Sequence, residues 1–179
     1  HKMWQRGIVA ANDGNVSVKL EDGTFLCTPS GVSKAAMTPE ILVHLAADGS
    51  VISAAEGYKP SSEMKMHFRC YAEREDVKAV VHAHPPIATS YASMGRALDG
   101  YQVMEFIVNL GAVPIAPYAQ PSTDEVPDSI APFLQDHDAI LLAHHGALTV
   151  GDSLTRAYFR MESLEMFAKT SLYIHLLGG

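Results

Sequence analysis

Two histidines separated by one residue, His82-Ala83-His84, stand at the end of a short β-branched run that begins at Lys78. The two-residue period of a strand turns both imidazoles to one face, with their Cα atoms roughly 7 Å apart, a spacing that suits one shared ion. Imidazole favours zinc, manganese, iron or cobalt, and an open catalytic site takes about three protein ligands, keeping a position for water or substrate. A second pair, His144-His145, ends a strongly apolar segment just before Gly146. Neighbouring strand residues point to opposite faces, so only one of this pair is expected to supply the third ligand. A lone histidine in such a place is most often hydrogen-bonded to backbone. A His-x-His followed by a second strand-terminal pair favours a metal.

Glu63 follows Ser61-Ser62 in the first turn of an expected helix, where the helix dipole favours a carboxylate. By itself it reads as a capping acid, and it gains interest from the histidines. Three turns, Asp13-Gly14-Asn15, Thr28-Pro29-Ser30-Gly31 and Pro60-Ser61-Ser62, carry hydroxyl or amide groups and can expose backbone N–H to a phosphate. Each alone reads as an ordinary turn, and no Walker-type Gly-Lys-Ser/Thr is present. Other His-x-His architectures fit poorly. A histidine-triad hydrolase needs a third alternating histidine where Pro86 stands, a cupin needs a glutamate within positions 87–90, and an amidohydrolase barrel is far longer than 179 residues.

A sheet must bring these residues together. The chain through about Ala10 reads as the tail of a helix. Residues 15–20 and 24–28 alternate apolar and polar around Glu21-Asp22-Gly23, a hairpin signal, and 43–46 with 51–53 form a second around Asp48-Gly49. Thr38 caps a short turn at Pro39-Glu40. Ser61 or Ser62 caps a helix to about Arg74, with Met64, Phe68 and Tyr71 on one face and His67 four residues after Glu63. Pro85-Pro86 opens a helix continuing over 87–94. A short strand is expected at 113–116, a helix at 123–134 and a buried strand at 139–143. From Asp152 a cap leads into the longest helix, with Leu154, Tyr158, Met161, Leu164, Ala168 and Leu172 as its apolar stripe. This order predicts an α/β fold, a central mixed sheet with helices on its faces.

Composition narrows the function further. The chain has 179 residues, 47% hydrophobic and 18% charged, which suits one domain over residues 1–179 with a full core. Thirteen basic residues are scattered singly against 20 acidic ones, a net charge of -7 that argues against a nucleic-acid partner. Apolar stretches fall far below the roughly 18 residues needed to span a bilayer, and no leader opens the chain, so a soluble protein without a membrane partner is expected. Two cysteines, Cys27 and Cys70, give no disulfide framework and fit a reducing cytoplasm. Nine histidines are a surplus that composition alone leaves unassigned.

Five stretches stand in order along the chain: Gly-Asn-Val-Ser at 14–17, Thr-Pro-Ser-Gly at 28–31, Lys-Pro-Ser-Ser-Glu at 59–63, Val-Val-His-Ala-His at 80–84 and His-His-Gly at 144–146. Together they resemble the class II aldolase/adducin family, most closely its fuculose-1-phosphate-aldolase-like branch with the 5-deoxyribulose- and methylthioribulose-phosphate aldolase-like enzymes. The resemblance spans nearly the whole chain. It implies three layers, α/β/α, around a central mixed, mainly antiparallel sheet, assembled as a homotetramer with sites near subunit contacts. It further implies that His82, His84 and His145 bind a divalent metal, Zn2+ in this branch with Mn2+ or Co2+ as substitutes, and that His144 is a structural neighbour. Glu63 becomes the catalytic acid/base, and a metal ligand when substrate is absent. Gly14, Asn15, Ser30, Gly31, Ser61 and Ser62 become the holders of a substrate phosphate.

The implied reaction is class II aldol cleavage of a ketose 1-phosphate, such as L-fuculose 1-phosphate or a 5-deoxypentulose 1-phosphate, to dihydroxyacetone phosphate and a short aldehyde. Methylthioribulose-phosphate dehydratases and phospho-sugar-acid decarboxylases keep the metal and a nearby acid and stand as alternatives, whereas 4-epimerases tend to carry aspartate where Glu63 stands. Adducin-like heads share the fold as non-catalytic interaction modules and lack the metal histidines. Two departures from the branch stand out. Its proton-donating tyrosine would fall near Val103-Met104, where there is none, although Tyr101 is close. Members also carry a C-terminal tail over the site, so a preceding segment and that tail are expected to lie outside this sequence.

Overall fold

A computed structural model describes residues 1–100 and 102–179; Tyr101, the residue near the expected proton donor, lies outside the described residues. Among the described residues, eight strands form one sheet: β1 (Asn15–Lys19), β2 (Phe25–Cys27), β3 (Val43–Leu45), β4 (Val51–Ser53), β5 (Ala79–Ala83), β6 (Ile115–Ala116), β7 (Ala139–Leu142) and β8 (Gly146–Gly151). Their order is β4-β3-β2-β1-β5-β8-β7-β6. Only β6 and β7 run parallel, so the sheet is mixed and mainly antiparallel.

The helices are α1 (Lys2–Gln5), α2 (Met64–Glu73), α3 (Pro86–Ser93), α4 (Met104–Asn109), α5 (Glu125–Ile130) and α6 (Leu154–Leu176). Strand β5 shows how they divide into layers. Every one of its five residues is buried, because β1 and β8 flank its edges and helices cover both faces. Ala79, Val81 and Ala83 pack with Ala88 and Ala92 of α3, Phe106 of α4 and Met161, Leu164 and Phe167 of α6. Val80 turns the other way, toward Met66, Cys70 and Tyr71 of α2 and Val126 and Ile130 of α5. Strand alternation therefore sends His82 to the α2 side. The three-layer α/β/α arrangement follows.

Several boundaries depart from the sequence reading. Helix α1 ends at Gln5 rather than near Ala10, because Gly7 adopts φ +68° and Ile8 N–H closes back on Met3 O at 2.9 Å. Helix α2 begins at Met64, with Glu63 at its N-cap and Ser61 Oγ accepting from Glu63 N–H at 3.2 Å. The helix expected over 123–134 breaks after Ile130 into a 3-10 turn at Ala131–Phe133, where Pro132 has no N–H to continue the ladder. The cap of α6 is Ser153 rather than Asp152, and Leu154 is exposed. Strand β8 escaped the sequence reading altogether. His-His-Gly looked like the end of a strand, whereas it is the turn of a hairpin whose second arm, Gly-Ala-Leu-Thr-Val-Gly, pairs with both β7 and β5.

Leu164 is wholly buried where α6 crosses the sheet. Leu164→Ala is expected to lower the unfolding free energy by about 3 kcal/mol. Urea denaturation measures this, and a loss within the error of the method would mean that α6 does not anchor the layer.

Candidate metal centre

The site forms where β5 ends and β1 and β8 begin. Antiparallel pairing sets Asn15 opposite His82, and Ala83 opposite Ala147. The β7–β8 turn then delivers His145 beside them. Ligand nitrogens of His82, His84 and His145 all lie within 4.8 Å of one another, and the His82 and His84 Nε2 atoms are 3.2 Å apart. Ring centroids are separated by 4.7 to 5.3 Å.

Each ring is set by its surroundings. His82 is fully buried, and its Nδ1–H donates to Ala147 O at 2.9 Å, which leaves the Nε2 lone pair facing the cluster. His84 lies against Gly146, where a Cβ would stand 2.5 Å from His84 Cδ2 and 2.6 Å from Ala83 O. Its Nδ1 is 3.5 Å from Asp13 Oδ2, whose charge favours a proton on Nδ1 and a lone pair on Nε2. His144 is exposed at φ +56°, outside any strand. The left-handed turn, rather than strand alternation, separates His144 from His145.

Glu63 completes the cluster. Its Oε1 is 3.0 Å from His145 Nε2 and its Oε2 is 3.4 Å from His82 Nε2, while Asn15 Nδ2–H donates to Oε2 at 2.7 Å. Burial alone would raise its carboxyl. The hydrogen bond from His145, the charges of His82 and His145 and the bond from Asn15 outweigh that and hold it well below the usual carboxylate range. The converging imidazole nitrogens and the ionised carboxylate form a donor set that fits a small divalent cation, which would take the place of the proton that His145 gives Glu63. Beneath it, Ser17 Oγ bonds His67 Nδ1 and Tyr71 Oη, each at 2.7 Å.

The three turns singled out for phosphate adjoin one another. Asn15 joins the first to Glu63, and Ser30 N–H donates to Lys59 O at 2.9 Å beside a Pro29–Pro60 bridge. Ser30, Gly31 and Ser62 are exposed, Gly14 and Ser61 half-buried and Asn15 buried. Gly14 adopts φ +71°, and a Cβ on it would stand 2.8 Å from His82 O. Ser61 is occupied in capping Glu63, and Ser62 Oγ meets Ser122 Oγ at 2.8 Å. Asp13 beside His84, Ser122 beside Ser62 and the Ser17 network were not anticipated as parts of the site. Asp13 was legible only as a turn residue, because its approach to His84 depends on β1 pairing with β5.

The sequence profile described as Class II Aldolase and Adducin N-terminal domain matches residues 1–172, and the chain belongs to that family. It is 36% identical over 180 residues to 3-oxo-tetronate 4-phosphate decarboxylase of Escherichia coli (strain K12), covering 98% of this chain and 82% of that protein. It is 35% identical over 170 residues to 5-deoxy-D-ribulose 1-phosphate aldolase of Bacillus thuringiensis serovar kurstaki, covering 94% and 78%. The L-fuculose-1-phosphate aldolase structure from Thermus thermophilus superposes with a TM-score of 0.86 at 34% identity, covering 99% of this chain and 92% of that one. Class II aldolases are metal-dependent, and the three-histidine cluster is where this chain can hold a metal. Among the described residues, no helix is long and apolar enough to cross a membrane.

Two outcomes are expected. Gly146→Ala should displace the His84 ring and weaken metal binding about tenfold or more, read by competition with a chromophoric chelator; unchanged affinity would separate Gly146 from the cluster. Burial pushes His82 from 6.5 down to about 4, and burial followed by the charge of His82 pushes His67 to about 3. The unfolded chain therefore binds more protons than the folded one between pH 6.5 and about 4, and stability contributed by the neutral rings is lost as pH falls through that window. Metal-free protein should melt at lower temperature at about pH 5 than at about pH 7 in scanning calorimetry, and an equal or higher midpoint at the lower pH would contradict the buried neutral rings.

Proposed function

We propose that this chain is a zinc-dependent aldolase that cleaves a ketose 1-phosphate, such as L-fuculose 1-phosphate or a 5-deoxypentulose 1-phosphate, to dihydroxyacetone phosphate and a short aldehyde. The observation that carries this reading is the placement of the Glu63 carboxylate against the three converging imidazoles, 3.0 Å from one and 3.4 Å from another. His82, His84 and His145 hold the zinc, with Glu63 joining them when substrate is absent. When bound, zinc supplies positive charge that polarises substrate oxygens and stabilises the negative charge left as the carbon–carbon bond breaks.

Glu63, ionised at rest, takes up the proton lost by the hydroxyl that becomes the aldehyde carbonyl and returns it to the carbon from which the aldehyde departs, a task for a carboxylate kept in one orientation beside the reacting atoms. Asn15 keeps it so through one amide N–H and has a second N–H to offer. The backbone N–H groups and hydroxyls of Gly14, Asn15, Ser30, Gly31, Ser61 and Ser62 bind the phosphate and fix the register of the substrate. The working unit is a cytoplasmic homotetramer in which residues 1–179 form one catalytic domain.

A second reading, decarboxylation of a phosphorylated 3-oxo sugar acid, is supported by the 36% identity to a decarboxylase. Loss of carbon dioxide beside a carbonyl leaves the same kind of electron-rich carbon for Glu63 to protonate. It needs no acid at an aldehyde oxygen, which agrees with the absence of tyrosine at Val103-Met104.

Zinc-loaded protein incubated separately with L-fuculose 1-phosphate, 5-deoxyribulose 1-phosphate and 3-oxo-tetronate 4-phosphate decides between them. Dihydroxyacetone phosphate from either ketose supports the aldolase, and carbon dioxide from the oxo acid alone replaces it with the decarboxylase. A protein that retains no divalent ion and forms neither product points to a non-catalytic, adducin-like module. Glu63→Gln should lower turnover by about 100-fold or more, with zinc content measured by atomic emission largely retained. Full activity in that variant would refute the role of Glu63.

A further inference from the structure

Beside the cluster lies a polar arrangement that the proposed reaction leaves unused. Asn15 and Ser17, two residues apart on β1, both face α2, while Val16 and Val18 pack into the opposite core. Across from them, Glu63 and His67 are four residues apart at the start of α2. A strand advances about 6.6 Å in two residues and a helix about 6 Å in four, so the two spacings match. The result is two parallel rungs: Asn15 Nδ2–H to Glu63 Oε2 at 2.7 Å and Ser17 Oγ to His67 Nδ1 at 2.7 Å.

One polar atom on each rung remains buried without a protein partner, Asn15 Oδ1 and His67 Nε2. Their chemistry is complementary. These contacts allow two directions; in the one where Tyr71 Oη–H donates to Ser17 Oγ and Ser17 Oγ–H donates to His67 Nδ1, the neutral ring carries its proton on Nε2. Asn15 Oδ1 can only accept, since its amide nitrogen serves Glu63. An orphaned polar atom on each of two adjacent rungs is costly, and a single water reaching both would satisfy them.

We propose that one internal water joins His67 Nε2–H to Asn15 Oδ1, completing a chain of donors from Tyr71 through Ser17, His67 and Asn15 to Glu63 and making His67 a positioning residue for that carboxylate. This rests on Glu63 being the proton-moving group described above. His67 touches neither substrate nor metal. It sets the Asn15 amide so that its N–H, and never its oxygen, faces Glu63, and so restricts the carboxylate to the orientation that the reaction uses.

Imidazole nitrogen NMR on the zinc-loaded protein, a high-resolution crystal structure and kinetics of His67→Leu and His67→Gln test the chain. The expected results are a His67 ring protonated on Nε2 across neutral pH and a water within hydrogen-bond distance of both atoms. His67→Leu should lose about tenfold in kcat with KM and zinc content unchanged. Glutamine, which carries an acceptor and a donor about as far apart as the ring nitrogens, should recover most of the loss. A ring protonated on Nδ1, an empty gap between the two atoms, parental kcat in the leucine variant, or zinc lost in step with kcat would each overturn the proposal. Should His67→Leu fail to fold, the glutamine variant and the NMR decide. Should the parent show no lyase activity, that failure belongs to the proposed function, and the tautomer and the water still decide the chain.

Discussion

The centre depends on one hydrogen bond, from His82 Nδ1 to the Ala147 carbonyl. It exists because β8 lies against β5, and it points the Nε2 lone pair of a fully buried ring toward His84, His145 and Glu63. An imidazole free to choose its tautomer would offer a ligand atom only part of the time. Here the backbone of a central strand makes the choice. The same β5–β8 pairing presses His84 onto Gly146, and the hairpin it closes carries His145. A shift of one residue in this register would turn His82 to the α6 face and dissolve the cluster.

Around that rigid core the site is finished by loops under local backbone strain. Among the described residues, Ala11, Ser122 and His144 are the non-glycine positions with positive φ. Each lies close in sequence or contact to a residue beside the cluster: Ala11 is two residues before Asp13, Ser122 meets Ser62, which precedes Glu63, and His144 precedes His145. Left-handed conformations at such residues persist only where the surroundings over-determine them. The arrangement combines a stiff cluster of histidines able to hold a metal at the end of the sheet with turns whose hydroxyls and N–H groups suit an anion.

Much of this was legible in the chain itself. The His-x-His spacing marked two of the three clustered histidines, and the order of five short motifs carried the family and the three-layer fold. Other features were hidden for identifiable reasons. Strand β8 contains two glycines and follows a histidine pair, so its propensity is weak and its strand character comes from being enclosed between β5 and β7. Strand alternation said only that one of His144 and His145 would face the site, and the family resemblance named His145; in the structure a left-handed turn at His144 separates the two rings. Glu63 looked like one acid in a helix's first turn, and its ties to Asn15, His82 and His145 span long stretches of sequence.

Local sequence was thus enough to establish which residue types were available and how they are spaced: two imidazoles on one strand face, a carboxylate at a helix start and three turns able to expose N–H groups. Periodicity and turn chemistry are properties of neighbouring residues and can be read from them. Packing settled the His82 tautomer, the company of Asp13, the two matched rungs between β1 and α2 and the meeting of all three turns at one end of the sheet. Each of these is set by strand register and by burial against another layer. Those quantities exist only once residues far apart in the chain have packed together.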